Sequence, residues 1–76
     1  MISELVLRVC QEEEVALKKW GDHDRTPSDL LNAIMEEAGE VAHAINHNEG
    51  IEKTNQEIVE TIGVLSRLYN MVNGLI

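Results

Sequence analysis

Three glutamates, Glu36, Glu37 and Glu40, lie within five residues near the middle of the chain. At about 100° per residue, Glu37 and Glu40 project from the same side of a helix. A second pair, Glu57 and Glu60, follows sixteen residues later with the same spacing. No lysine or arginine lies between positions 26 and 52 to neutralise the first group, although carboxylates this close repel one another. Two such pairs on adjacent helices suit a hard divalent cation, which prefers oxygen ligands.

Apolar residues recur at helical spacing in three segments, and they predict helices at residues 3–20, 27–46 and 51–74. The start of the second helix is the clearest, because Thr26 suits a cap and Asp29 suits the positive end of a helix. A polar loop and a short turn connect the three segments. The sequence therefore predicts one all-α domain that spans the whole chain.

The third predicted helix is apolar around about half of its circumference. Two other helices cannot cover so wide an arc, and a chain of 76 residues buries only about 60% of its unfolded surface. We therefore expect a homo-oligomer, a dimer or tetramer, in which helices 2 and 3 of each subunit form a four-helix-type bundle core. The arc consists of Ile58, Ile62, Val64, Leu65, Leu68, Tyr69, Val72 and Leu75.

Two glutamates interrupt the predicted apolar faces. Glu57 falls within the arc of helix 3, and a buried carboxylate there requires a partner or a metal ion. An alternative is that Thr54 and Glu57 form a capping box, so that helix 3 begins late. Glu13 falls inside the apolar stripe of helix 1, where we expect it to extend outward at the edge of the stripe. The alternative is that Glu13 contacts the acidic site or holds a basic partner.

The composition limits the classes of partner. A net charge of −8, from 14 acidic and 6 basic side chains, disfavours a nucleic-acid polymer because its phosphates are also negative. A small phosphorylated ligand is compatible with this charge, because bound divalent ions reverse the local sign. One cysteine excludes a disulfide framework. No apolar run is long enough to span a membrane and no basic leader precedes one, so we expect a soluble cytoplasmic protein without a membrane partner.

The acidic pattern resembles the signature of a known family. Glu36, Glu37 and Glu40, followed after a spacer by Glu57 and Glu60, are similar to the EExxE and ExxD motifs of the MazG-like all-α nucleoside triphosphate pyrophosphohydrolases. Glu60 stands where that family usually has an aspartate. Its longer side chain can still reach a metal ion.

The resemblance extends upstream of the acidic residues, over residues 12–70. Lys19, Trp20 and Gly21, a short polar loop and a helix led by a proline are similar to the small stand-alone and phage-type members. The resemblance implies a Mg²⁺-dependent enzyme, with Mn²⁺ as a possible substitute. Such an enzyme hydrolyses a nucleoside or deoxynucleoside triphosphate to the monophosphate and pyrophosphate, often to remove non-canonical nucleotides.

The resemblance also implies roles for the five glutamates. Glu37, Glu40, Glu57 and Glu60 would hold the metal ion, and Glu36 would position or deprotonate the attacking water. Mg²⁺ held by carboxylates would orient the triphosphate and neutralise the charge that develops during the reaction. Glu36, Glu37 and Glu40 are accordingly the catalytic candidates.

Three further residues are candidates for binding the substrate, each beside a simpler interpretation. Trp20 can stack on a base or anchor helix packing, and His23 can contact the nucleotide or be an ordinary loop residue. Lys53 lies one turn before Glu57, so it can reach a phosphate or simply lie on the surface.

Two other functions fit parts of the sequence. Glu40 and His43 form a Glu-x-x-His pair, which carboxylate-bridged di-iron bundles also use. The chain can alternatively be a non-catalytic helical interaction module.

Overall fold

Three α-helices make up the computed structural model of the chain, which describes residues 2–20 and 25–74. They are α1 (Ile2–Trp20), α2 (Pro27–Asn46) and α3 (Ile51–Val72), and the described residues contain no strand. The all-α prediction is confirmed, and the helix bounds agree with the predicted ones to within two residues. Gly21, which follows the predicted end of helix 1, lies outside the described residues. The structure also does not describe the side chains of Ile2, Leu17, Lys19 and Trp20.

The start of α2 is a capping box. The backbone N–H of Asp29 donates to the Thr26 hydroxyl at 3.1 Å, and the backbone N–H of Thr26 donates to the Asp29 carboxylate at 3.1 Å. Pro27 occupies the first turn, where the missing N–H has no helical acceptor. These two hydrogen bonds satisfy donors that the first turn of a helix leaves unpaired.

The helix α3 begins at Ile51, and so the alternative start at Thr54 is not adopted. The Thr54 hydroxyl instead donates to the Gly50 carbonyl at 2.8 Å, one turn back. The helix ends at Val72, two residues before the predicted end. Gly74 has a φ of 68°, a left-handed conformation that stops helical propagation and that glycine adopts at little cost.

The helix α3 lies between the other two. It packs against α2 and against α1, and α1 and α2 share no contact in the described residues. The buried side chains of α2, Leu30, Ile34 and Ala44, therefore face α3. A four-residue turn joins α2 to α3, which makes the two helices antiparallel neighbours.

The helix α1 runs parallel to α3, because its contacts advance along both helices together. Arg8 donates to the Gln56 side chain at 3.2 Å, and Glu13 accepts a hydrogen bond from the Ser66 hydroxyl. The expectation that Glu13 extends outward was wrong, because it is half-buried and bonded to α3. Val59 was also missed by the predicted arc, although it is only 3% exposed.

One side of the α2–α3 pair presents apolar side chains to solvent. Leu65, Tyr69 and Val72 belong to the arc that we expected a second copy of the chain to cover, and within one chain they are 46%, 65% and 67% exposed. On each helix, the apolar residues of this side follow one another at spacings of mostly three and four residues, as in a coiled-coil seam. We call this surface the apolar face, and it consists of Leu31, Met35, Ala38, Ala42 and Ile45 of α2 with Ile51, Ile58, Ile62, Leu65, Tyr69 and Val72 of α3.

The exposed area of the chain is large for its mass. It exposes 5624 Å², whereas a compact monomer of 8.5 kDa exposes about 4,650 Å². The excess, about 1,000 Å², is similar to the area of about 800 Å² that each partner buries in a standard protein interface.

Two glycines, one inside α2 and one just before α3, provide a test of the backbone conformation described here. Gly39 lies inside α2 with open space around it, so Gly39→Ala should raise the free energy of unfolding by up to about 1 kcal/mol. Gly50 has a φ of 99°, so Gly50→Ala should lower the free energy of unfolding by about 1 kcal/mol or more. Urea unfolding of the two variants beside the parent measures both effects. Destabilisation by Gly39→Ala would contradict the open environment of this residue.

Candidate metal centre

Four glutamates from two helices converge on one point. Glu37 and Glu40 of α2 and Glu57 and Glu60 of α3 each offer a carboxylate oxygen within 4.8 Å of the others. The antiparallel packing of α2 on α3 produces this arrangement, because it sets one Glu-x-x-Glu pair against the other. We call these residues the four-glutamate site. They are the four residues that the sequence predicted as metal ligands.

The site is partly buried in the contact between the helices. Glu57 is only 4% exposed, and it is the single buried polar side chain among the described residues. Its Oε2 atom and the Oε2 atom of Glu37 are buried without a hydrogen-bond partner in the described part of the chain. An ionised carboxylate only accepts hydrogen bonds, so the neighbouring glutamates cannot satisfy these oxygens. A proton or a cation between the carboxylates can.

Lys53 supplies part of the missing positive charge. Its Nζ atom lies 2.9 Å from Oε1 of Glu57, and the hydrogen bond and charge of Lys53 lower the pKa of that carboxyl below its ordinary value. The same contact raises the pKa of the Lys53 ammonium. Lys53 therefore lies at the edge of the site, where it pairs with a glutamate.

The negative charge that Lys53 does not balance raises the pKa values of the two glutamates of α2, Glu37 and Glu40. The hydrogen bond that Glu40 shares with Glu57, followed by the charges of Glu37 and Glu57, raises the pKa of Glu40 to about 7. Burial, followed by the charges of Glu60 and Glu57, raises the pKa of Glu37. Glu40 thus holds its proton in a pH range where an isolated glutamate is ionised.

The donor set fits a hard divalent cation. Mg²⁺ binds oxygen at about 2.0–2.1 Å, so opposite ligands of an octahedral shell lie about 4.2 Å apart. Oxygens already within 4.8 Å of one another need only small side-chain adjustments to reach that geometry. Oxygen ligands alone favour Mg²⁺ or Mn²⁺ over Zn²⁺, which prefers nitrogen and sulfur.

Glu36 lies outside this group. It is exposed and lines a shallow cavity of about 410 Å³ on the outer side of α2. Glu36 lies one turn before Glu40 and is therefore beside the four-glutamate site, but its carboxylate is not among the four that converge. The other residues that line the cavity are Arg25, Asp29, Asn32 and Ala33.

The candidate base-binding residues are not brought to the site by the described structure. The side chain of Trp20 and the whole of His23 lie outside the described residues. His43 points elsewhere: its Nε2 atom lies 3.2 Å from a Glu49 oxygen, and its ring stacks on His47 with a centroid distance of 4.1 Å. A di-iron site would require His43 to lie beside Glu40 at the cluster, and the structure does not place it there.

Sequence analysis missed the pairing of Lys53 with Glu57. The i,i+4 spacing of opposite charges was a visible signal for it. Sequence analysis also did not single out Glu12 of α1, although the charge of Glu12 contributes to the raised pKa of Glu37. No sequence period could show this proximity, because it depends on how α1 packs on α3.

Comparison with known proteins does not assign a class. The chain matches no family model, no curated protein and no solved structure. None of the helices, over the residues described, combines the length and the apolar character needed to cross a membrane. The functional interpretation therefore depends on the residues and geometry of the site itself.

The raised pKa values predict how the stability of the metal-free chain depends on pH. Between about 4.5 and about 7, folded Glu40 holds a proton that the unfolded chain has released, so stability should fall as pH rises through this range. The lowered pKa of Glu57 has its effect only below 4.5, outside that window.

Urea unfolding in a chelator, at about pH 5 and about pH 8, measures this dependence. Glu40→Gln should flatten it, because glutamine cannot titrate. Higher stability at the upper pH in the parent would show that the carboxylates do not repel one another in the folded chain.

Proposed function

We propose that the chain is a Mg²⁺-dependent nucleotide pyrophosphohydrolase. It would cleave nucleoside or deoxynucleoside triphosphates to the monophosphate and pyrophosphate in the cytoplasm and remove non-canonical nucleotides. The observation that carries the proposal is Glu57, a carboxylate buried with one unpartnered oxygen in a cluster of four glutamates. The resemblance of the acidic motifs to the MazG-like family connects such a site to this reaction.

A purely structural role explains the cluster poorly. Burying a carboxylate without a complete set of partners costs free energy, and Lys53 contacts only one oxygen of Glu57. Four glutamates at one helix contact raise this cost through repulsion. A divalent cation removes both penalties, because it neutralises charge and binds the unpartnered oxygens.

The residues have distinct roles in the reaction. Glu37, Glu40, Glu57 and Glu60 would hold the cation, which when bound neutralises phosphate charge and lowers the pKa of a coordinated water. Glu36, adjacent to the site but outside the cluster, would orient the attacking water and accept its proton. The water oxygen forms a bond to the α-phosphorus as the bond from that phosphorus to the bridging oxygen breaks, and pyrophosphate leaves.

Lys53 is suited to move from Glu57 to the substrate. Once a cation balances Glu57, the ammonium is released from its ion pair and can bind a phosphate oxygen. Its side chain is 55% exposed, so this movement displaces no packed group. Trp20 and His23 complete the proposal as candidate contacts for the base.

The test is an assay of nucleoside and deoxynucleoside triphosphates with Mg²⁺, in which pyrophosphate and phosphate are measured separately. The proposal expects pyrophosphate and monophosphate in equal amounts. Phosphate without pyrophosphate would indicate a different hydrolase. The absence of product with every nucleotide would favour the non-catalytic interaction module, which the apolar face also suits.

Substitution of the cation ligands should abolish turnover without large changes in shape. Glu37→Gln, Glu40→Gln or Glu57→Gln should each reduce pyrophosphate release by about 100-fold or more, and double variants should lose little more, because the ligands act as a unit. Glu36→Gln should lose turnover but keep cation binding. Glu52→Gln, at an exposed position of α3, is the matched control and should retain activity.

Glu60 allows a test in the opposite direction. Glu60→Asp introduces the residue that is usual in the MazG-like family, so activity should be retained or raised. Complete loss of pyrophosphate release in this variant would show that the site requires the longer side chain.

We also propose that the chain is a homo-oligomer, a dimer or tetramer, built on the apolar face. Two copies of the α2–α3 pair would pack through these faces as a four-helix bundle, and the excess exposed area of about 1,000 Å² matches what each subunit would bury. The face carries no charged residue, so its burial leaves no unpaired charge.

Sedimentation at micromolar concentration should therefore show a dimer or a tetramer. Leu65→Glu or Tyr69→Glu should shift the protein toward the monomer and lower its stability, because a charge would enter the interface. Lys18→Glu, at an exposed position of α1, is the control and should leave the assembly intact. A well-folded monomeric parent would contradict this part of the proposal.

A further inference from the structure

The helix α1 places Glu12 against Gly63 of α3, one turn beyond Glu60 of the four-glutamate site. Glu12 is half-buried, and its Cγ atom would lie 3.2 Å from a Cβ atom built on Gly63 of α3. Gly63 is itself buried and follows Glu60 by three residues, so the two lie on the same side of α3. The Cβ and Cγ atoms of Glu12 thus lie against α3 at Gly63, the one residue of this helix that has no side chain. Gly63 is one turn beyond Glu60, a proposed cation ligand.

The direction of the Glu12 side chain brings its carboxylate toward the site. Long side chains of a helix point back toward its N-terminus. Because α1 is parallel to α3, this direction leads from the level of Gly63 to the level of Glu60. The electrostatics agree, since the charge of Glu12 is among the causes that raise the pKa of Glu37.

Two hydrogen bonds fix α1 in this orientation. Arg8 donates to Gln56 at 3.2 Å on one side of Glu12, and Ser66 donates to Glu13 on the other. These contacts fix both the rotation and the height of α1 on α3. They hold the charge of Glu12 near the carboxylates of the four-glutamate site, where it contributes to the raised pKa of Glu37.

We propose that Glu12 is a fifth acidic residue of the cation site, contributed by α1 and positioned by Gly63. Mg²⁺ keeps several of its waters when it binds to protein, and the Glu12 carboxylate is suited to accept hydrogen bonds from them. This inference rests on the proposed function only in taking the four-glutamate site to bind a divalent cation.

Calorimetric titration with Mg²⁺ and with Mn²⁺, in the absence of nucleotide, tests the assignment. Glu12→Gln should weaken binding roughly tenfold, as is typical when a group that supports the metal ligands is removed. Glu14→Gln makes the same change of charge at an exposed position of the same helix and should alter the affinity by less than about twofold.

Gly63→Ala separates position from charge. The new methyl group would displace the Glu12 stem while all five acidic residues remain, so it should weaken cation binding in the same direction as Glu12→Gln. Equal affinities for Glu12→Gln, Glu14→Gln and the parent would overturn the assignment. If Gly63→Ala fails to fold, as judged by circular dichroism, the comparison between the two glutamine variants still decides.

Failure of this inference differs from failure of the proposed function. A parent that binds the cation and releases pyrophosphate, with Glu12→Gln equal to Glu14→Gln in affinity, would remove Glu12 from the site and leave the enzyme intact. If the parent binds the cation, Glu12→Gln binds it more weakly and the parent releases no pyrophosphate, the role of Glu12 would be supported and the proposed enzymatic activity would be contradicted. A parent that binds no cation would overturn both.

Discussion

The burial of the Glu57 carboxylate is the interaction on which the rest of the structure depends. Its side chain lies in the contact between α2 and α3, where Lys53 offers the counter-charge and where Oε2 has no hydrogen-bond partner among the described residues. Removing one partner from a buried charge pair typically costs about 3–5 kcal/mol, so an incompletely paired carboxylate at a helix contact is a substantial burden for a small domain. A divalent cation bound at this site, as proposed, would neutralise the carboxylates and bind the unpartnered oxygens.

The architecture follows from placing this site between helices. The antiparallel α2–α3 pair brings two Glu-x-x-Glu motifs together on one side and leaves the apolar face on another. The helix α1 packs on α3 through Gln56, Gly63 and Ser66, about a third of a turn from the α3 positions of the apolar face. The four-glutamate site and the apolar face thus lie on separate surfaces of the same two helices.

The sequence was informative where a local signal determines the structure. The capping residues Thr26 and Asp29 marked the start of α2, and the apolar period marked all three helices to within two residues. The convergence of Glu37, Glu40, Glu57 and Glu60 was predictable, because residues three apart share a helix face and Glu57 interrupts an apolar arc. Their assignment as cation ligands rests on the resemblance to the MazG-like motifs and stays a prediction. Each of these signals lies within one helix.

The sequence was uninformative where two helices determine the result. Val59 and Gly63 of α3 are buried because α1 covers them, and neither belonged to the predicted arc. Glu13 was expected at the edge of α1, but the rotation of that helix directs it to Ser66. The proximity of Glu12 to the site has the same origin. Helix periodicity defines the faces of each helix but does not say which neighbour packs on which face.

The most direct test of the central claim is the dependence of the free energy of unfolding on Mg²⁺ at neutral pH. A ligand that binds only the folded chain stabilises it by an amount that grows with its concentration. The parent should gain stability with Mg²⁺, while Glu57→Gln should be at least as stable as the parent without the ion and gain little from it. A parent whose stability is the same with and without Mg²⁺, and which Glu57→Gln destabilises, would show that the four glutamates are structural and bind no cation.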